Sequence, residues 1–308
     1  VLKDAIPVGI GLFITLIGLK NANIIVDSPA TLVTLGDFSQ HSVWIAMLGL
    51  LVTAVLFVRN VNGSILIGIV VATIFALILG DVSLPDGSII STPPSLAPIF
   101  AQFEWDHILT FDMLVVVFTL LFVNLFDTVG TLIGVVSKAG IADENGNFPQ
   151  MKKALFSDAL GTTVGSILGT STVTAYVESA SGVASGGRTG LTSVSTALMF
   201  VLALFFAPLF LMVPAAATSP ALIIVGLFMI SSVAKINFSD MSEGLPAFLT
   251  IVFMPFTYSI AEGIVFGMLS FAFIKLCAGK SKDVSVAVYV IAVLFLLKII
   301  LDASHMMG

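Results

Sequence analysis

Charge is what this sequence has least of. Only 10% of its 308 residues are Asp, Glu, Lys or Arg, where a soluble domain carries about 25%. A chain so short of charge cannot cover a water-facing surface, and with 58% hydrophobic residues and a mean hydropathy of +1.14 its main solvent is lipid. Cysteine is nearly absent: Cys277 alone excludes an internal disulfide or a Cys-based zinc site. No basic stripe is present, so nucleic acid is not a partner. Three histidines (His41, His107 and His305) fall in connections or at the end. They offer no cluster for a metal, and no resident cofactor is expected. The G-x-S-x-G elbow is missing and no His lies within a span, which leaves an intramembrane hydrolase without a base for its nucleophile.

What is present is a series of long apolar runs. Crossing helices need about 20 apolar residues, and the runs are 5–26, 43–58, 63–80, 113–137, 154–169, 190–213, 219–237 and 284–301. The run 245–278 is too long for one crossing and is read as two, broken near Glu262-Gly263. With a polar segment around 171–187, this gives about eleven membrane segments in an all-α polytopic protein. Arg59, Lys138, Lys152, Lys153, Lys280 and Lys282 mark the cytoplasmic connections, while 27–42 and 81–112 lack Lys and Arg and are assigned outside. The second of these is expected to carry a short interfacial helix anchored by Phe103 and Trp105. The segments AIPVGIGLFITLIGLKNANIIV and GLPAFLTIVFMPFTYSIAEGIV echo one another, with Lys20 and Glu262 in their polar breaks as gating or snorkelling groups.

Two carboxylates fall where water does not reach. Asp127 lies in VNLFDTVGTLIGVV, and Glu178 in TSTVTAYVESASGVASGGRTG. An acid at bilayer depth costs roughly 2.5–3.5 kcal/mol or more, so it faces a partner or a wet cavity. A structural capping role remains open for either one, but two, each beside Thr, Ser and Gly, favour function. The β-branched and aromatic residues before Glu178 suit a strand, and the small residues after it suit a half-helix beginning in mid-membrane. Such a terminus aims N–H groups at a ligand, and Glu178 would accept ring N–H donors while Tyr176 supplies a ring face or hydroxyl. Phe126 and Thr128 beside Asp127, and Val177 and Ser179 beside Glu178, complete the candidate binding residues. Gly161, Gly165 and Gly169 are read as a surface for close helix approach. Asp158 is read as an entry-end charge near Lys152 and Lys153, and Arg188 as an interfacial anchor in preference to a partner of Glu178.

FDTVGTLIGV, then ALGTTVGSILGTSTVTAYVESASGVASGGRTGLTSV, then FLTIVFMPFTYSIAEGI resemble the azaguanine-type branch of the nucleobase permeases, relatives of the uracil and xanthine permeases. The resemblance covers essentially the whole chain. It implies fourteen membrane segments in two inverted repeats, each giving four segments to a core domain and three to a gate domain. Asp127 then matches the acid of the eighth segment, and Tyr176, Val177 and Glu178 match the Tyr-x-Glu at the strand–helix junction of the tenth. Three spans precede Asp127 where the family has seven, so an N-terminally truncated chain is expected, either a fragment or a remnant. The split of 245–278 gives one late segment more than the family has.

The implied domains are 1–80, gate helices of the first repeat; 81–111, the external loop; 112–215, the core half with the site; and 219–302, gate helices of the second repeat. The implied activity is proton-coupled import of hypoxanthine, guanine or adenine across a bacterial inner (plasma) membrane, with Asp127 and Glu178 coupling the proton. Sodium coupling, a homodimer, a uracil, xanthine or anion carrier on the same fold, and a non-transporting fragment stay open.

Overall fold

A computed structural model of the chain describes residues 2–84, 88–104, 110–142, 148–281, 284 and 286–306. The chain is helical. Its order is α1 (Leu2–Asn21), a two-stranded hairpin of β1 (Ile25–Ser28) and β2 (Leu32–Leu35), α2 (His41–Val58), α3 (Ser64–Leu79), α4 (Phe111–Ala139) and α5 (Met151–Ile167). Then come α6 (Ser179–Ala184), α7 (Gly190–Phe205), α8 (Ala207–Leu211), α9 (Ala215–Ile230), a 3-10 turn (Ser231–Lys235), α10 (Met241–Phe256), α11 (Ile260–Cys277) and α12 (Val286–Met306). Four helices among the described residues are long and apolar enough to cross a membrane: Asp4–Asn21, His41–Val58, Ala215–Lys235 and Ile260–Cys277. Apolar helices of 10–17 residues accompany them.

The small antiparallel hairpin, with Ile25 opposite Leu35 and Ser28 opposite Leu32, adds the only strands among the described residues to an otherwise helical chain. Its β-branched residues flank Pro29-Ala30, which favours a turn. Between α3 and α4 the expected interfacial helix is replaced, among the described residues, by turns over 96–101. Trp105, its second anchor, lies outside the described residues.

Two compact units divide the chain. One comprises Val1–Phe13, Leu96–Ser179 and Met229–Gly308, the other Ile14–Ser95 and Ala180–Phe228. In the second unit Ile45, Ala72, Ala76, Ala216 and Ala217 are buried together. The α2–α3 contact is close because Gly49 faces Ala72 and Gly68 faces Thr53. The Thr53 hydroxyl is satisfied within its own helix by the Gly49 carbonyl at 2.7 Å, so it can be buried at little cost.

In the first unit the two echoing segments pack on each other. Ala5 and Val8 of α1 meet Ala247 and Ile251 of α10, and Gly9 fits against Met254. The run 245–278 does divide, but at Thr257–Ser259 and not at Glu262-Gly263. Pro255 removes a helical N–H donor just before the end of α10,. Tyr258 then takes a left-handed φ of 56°, and the Ser259 hydroxyl accepts from the Glu262 N–H at 3.2 Å to start α11. Ser259-x-x-Glu262 is the capping-box spacing.

At their other ends α10 and α11 are joined by ion pairs. Lys275, 4% exposed, reaches Glu243 at 3.3 Å and lies over the Phe271 ring. Lys280 reaches Asp240 at 3.0 Å. Acids at the start of α10 and lysines at the end of α11 also complement both helix dipoles. Asp240, in the loop ahead of α10, accepts from the Ser242 hydroxyl at 2.8 Å and the Ser242 N–H at 2.9 Å. The Ser242 hydroxyl first, and then Lys280, hold its carboxyl at about 2, below the ordinary 3.8.

Two outcomes follow for stability. Gly267 faces the Thr250 hydroxyl, so Gly267→Val should overpack the α10–α11 contact and cost about 1–3 kcal/mol, read as a lower unfolding midpoint in detergent. The lowered Asp240 pKa means stability that is present above pH 3.8 and lost as the pH falls toward about 2,. Unfolding midpoints measured across that window should fall less steeply in Asp240→Asn than in the unaltered protein.

Candidate functional site

The site is built on α4, whose 29 residues open on Thr110, the hydroxyl of which accepts from the Met113 N–H at 3.3 Å. Asp127 lies near its middle. Positions 127, 130 and 134 share one face of a helix, and there Gly130 lies against Ile260 and Ile264 while Gly134 meets Met229. The missing side chains let the start of α11 come close to α4, and the Ala261 N–H hydrogen-bonds the Asp127 carboxylate. Ala261 is in the first turn of α11, where N–H groups have no helical partner. Asp127 and Ser259 therefore divide the free donors of this helix end between them. Asp127 keeps one oxygen, Oδ1, buried without a hydrogen-bond partner. An unanswered buried acceptor costs about 1–3 kcal/mol, a cost a protein retains where a ligand answers it.

Thr128, 1% exposed, turns to the next face and donates to Asp158 Oδ2 at 3.1 Å. Asp158 Oδ1 accepts the Ala175 N–H at 3.2 Å. One carboxylate on α5 thus ties α4 to the segment that carries Tyr176, Val177 and Glu178. Asp158, read from sequence as an entry-end charge, also connects the two candidate clusters. The side chain of Phe126 lies outside the described residues.

The strand expected before Glu178 does not form. Residues 170–176 have no regular secondary structure, since no neighbouring strand offers them a ladder, and α5 satisfies them by side chains instead. Besides the Asp158 bond, the Thr162 hydroxyl donates to the Val173 carbonyl at 3.0 Å. Gly169, at φ +85°, reverses the chain after α5 and sends it back along that helix. Gly161 and Gly165 therefore receive Val173, and Gly165 also Thr170, where a second helix was expected. The helix after Glu178 does form, as six residues from Ser179 to Ala184. Val177 is packed inward at 9% exposure, whereas Tyr176 is 64% exposed and Glu178 and Ser179 are also exposed. Arg188 donates through its guanidinium to the carbonyls of Val183 and Gly187 and not to Glu178, closing the end of α6.

The described residues contain no metal-binding group of three or more His, Cys, Asp or Glu. A cavity of about 520 Å³ beside His41, Asp81 and Pro214 in the second unit touches none of the candidate residues. The arrangement on α4 and at 175–179 suits recognition of N–H donors.

A model described as the permease family (Xan_ur_permease) matches residues 1–266. The chain is 46% identical over 304 residues to the adenine permease AdeP of Escherichia coli (strain K12), covering 99% of this chain and 68% of that protein. It is 44% identical over 299 residues to the guanine/hypoxanthine permease PbuG of Bacillus subtilis (strain 168), covering 96% and 67%. With PbuO of the same organism, another guanine/hypoxanthine permease, it shares 42% over 310 residues, covering 97% and 70%.

Removing the Asp158 carboxylate should release the segment before Glu178. A hydrogen bond to a charged group is worth about 1.5–3 kcal/mol, so Asp158→Ala should raise amide hydrogen exchange at 170–178 about 10- to 100-fold. Asp158→Asn, which keeps an acceptor, should do so less.

Proposed function

Since the chain belongs to the xanthine/uracil permease superfamily, we propose that it imports purine nucleobases by proton symport. It is a membrane transporter and not an enzyme. The purines it would carry, adenine, hypoxanthine or guanine, are those in the names of its relatives, and its place would be the plasma membrane, a bacterial inner membrane. The observation that carries the reading is the Asp127 carboxylate: halfway along an apolar helix, supported by one backbone N–H, with a buried oxygen still to be answered.

Every purine nucleobase the relatives carry presents one imidazole N–H and at least one further N–H, on the six-membered ring or its amino group, and a carboxylate is an acceptor-only group suited to them. Asp127 would take one such N–H from its place on α4. Glu178 would take a second from the segment that Asp158 holds beside α4, with Tyr176 against the ring face. Val177 would contribute an apolar wall and Ser179 a hydroxyl, and Thr128 keeps Asp158 in register. A proton loaded on one of the acids outside and released inside, together with the purine, makes import downhill in the proton gradient. The site then alternates its exposure while staying near the bilayer midplane. A homodimer is compatible with this cycle and not required by it.

The test is uptake of labelled adenine, hypoxanthine and guanine in cells deprived of their own purine carriers. Asp127→Asn and Glu178→Gln should each lower uptake at least 10- to 100-fold, the scale of one lost charge-assisted hydrogen bond, at unchanged abundance in the membrane. A protonophore should abolish uptake by the unaltered protein. Normal uptake by both variants would sink the site, and uptake that survives the protonophore but needs sodium would sink proton coupling.

A further inference from the structure

Asp127 is not the only polar group on α4 with an unanswered oxygen. Asn124 stands three residues earlier, and its Oδ1 too is buried without a hydrogen-bond partner. Residues three apart lie about 60° apart around a helix and about 4.5 Å apart along it, so the two oxygens border the same side of α4. Thr128 and Thr131, at four and seven residues from Asn124, continue that polar stripe and are 1% and 3% exposed. Thr128 is committed to Asp158. The two oxygens at 124 and 127 are left, one above the other, in a helix rich in Leu, Val and Phe.

The two groups differ in kind. A carboxylate only accepts, whereas a carboxamide offers an acceptor and a donor side by side. Asp127 therefore suits the imidazole N–H that every purine nucleobase has. A side-by-side acceptor and donor suits the edge around ring position 6. In a 6-amino purine that edge is an amino donor beside a ring-nitrogen acceptor, and in a 6-oxo purine a carbonyl acceptor beside a ring N–H. The carboxamide matches either by rotating, as Asn does with the adenine edge in nucleic-acid recognition. One helical turn, about 5.4 Å, is also the scale of the purine ring system.

We infer that Asn124 is a second nucleobase-contacting residue, which reads the substituted edge at position 6 while Asp127 holds the imidazole edge. This rests on the purine-transport reading above. Asn124 thereby gives the site a reason to accept both 6-amino and 6-oxo purines and to disfavour purines without a substituent there.

The test uses transport kinetics of the protein in purine-carrier-deficient cells, with adenine, hypoxanthine and unsubstituted purine as competing ligands. In the unaltered protein, unsubstituted purine should compete about tenfold more weakly than hypoxanthine. Asn124→Ala should raise the half-saturation for adenine and hypoxanthine about tenfold, leave the maximal rate within about twofold, and abolish the gap to unsubstituted purine. Asn124→Ser, smaller but polar, should behave in the same direction and serves if the alanine variant fails to reach the membrane. Equal shifts for all three ligands, no shift, or loss of both variants from the membrane would overturn the assignment and leave Asn124 a structural residue. Absence of purine uptake by the unaltered protein would instead remove the transport premise, and this assignment with it. Normal purine uptake beside an indifferent Asn124 would leave that premise standing.

Discussion

Lipid offers no hydrogen bonds, so backbone that leaves a helix at membrane depth must be satisfied from within the protein. In the proposed membrane reading, the segment between α5 and α6 meets that constraint. It has neither a helix nor a ladder of its own, and it survives because α5 turns side chains toward it. Asp158 answers Ala175, and Thr162 answers Val173. The glycines of α5 give the returning chain room to lie close enough for those bonds. Asp158 also takes the Thr128 hydroxyl, so the same carboxylate that satisfies the irregular backbone fixes its place relative to Asp127.

The apolar helices and the membrane as solvent were legible because hydropathy over a window is a local property, and the two acids stood out as charges within or beside apolar runs. What was not legible is tertiary. Asp158 lies a few residues from Lys152 and Lys153, and by sequence alone it reads as one more charge at a helix end. Nothing local shows that its two oxygens point at Thr128 and Ala175. Gly161 and Gly165 announce a close approach but not what approaches. The alternating β-branched residues at 170–176 argued for a strand, yet a strand needs a neighbour, and propensity cannot supply one. The break in 245–278 is different, because its signal was present. Ser259-x-x-Glu262 marks a helix start, and Pro255 before it marks an end, so the division belonged at 257–259.

The charges also separate the purine reading from an anion carrier on the same scaffold. An anion site needs positive groups left uncompensated. Here Lys275 is paired with Glu243, and Arg188 is spent on the carbonyls of Val183 and Gly187. Even the N-terminus of α11, a natural anion site, has its Ala261 and Glu262 donors taken by Asp127 and Ser259. Among the buried side-chain atoms of the described residues, Asp127 Oδ1 and Asn124 Oδ1, with the Tyr289 hydroxyl, are without a hydrogen-bond partner. A ligand suited to them brings N–H donors, which a nucleobase has and a simple anion lacks.

The same arrangement gives the proposed cycle a physical handle. A carboxylate has lone pairs for several donors, so a ligand N–H reaching Asp127 Oδ1 adds to the Ala261 bond without replacing it. A proton acts differently. It removes the negative charge that favours a helix N-terminus and turns one acceptor into a donor, which weakens the hold of α4 on α11. In the proposed cycle substrate and proton would therefore act differently on one helix end, substrate leaving the contact and the proton loosening it. The far end of α11 is pinned to α10 by Lys275 and Lys280. A change at Ala261 would thus be carried by the α10–α11 pair as a unit, which is how the proposed cycle would turn a loading signal into movement of packed helices.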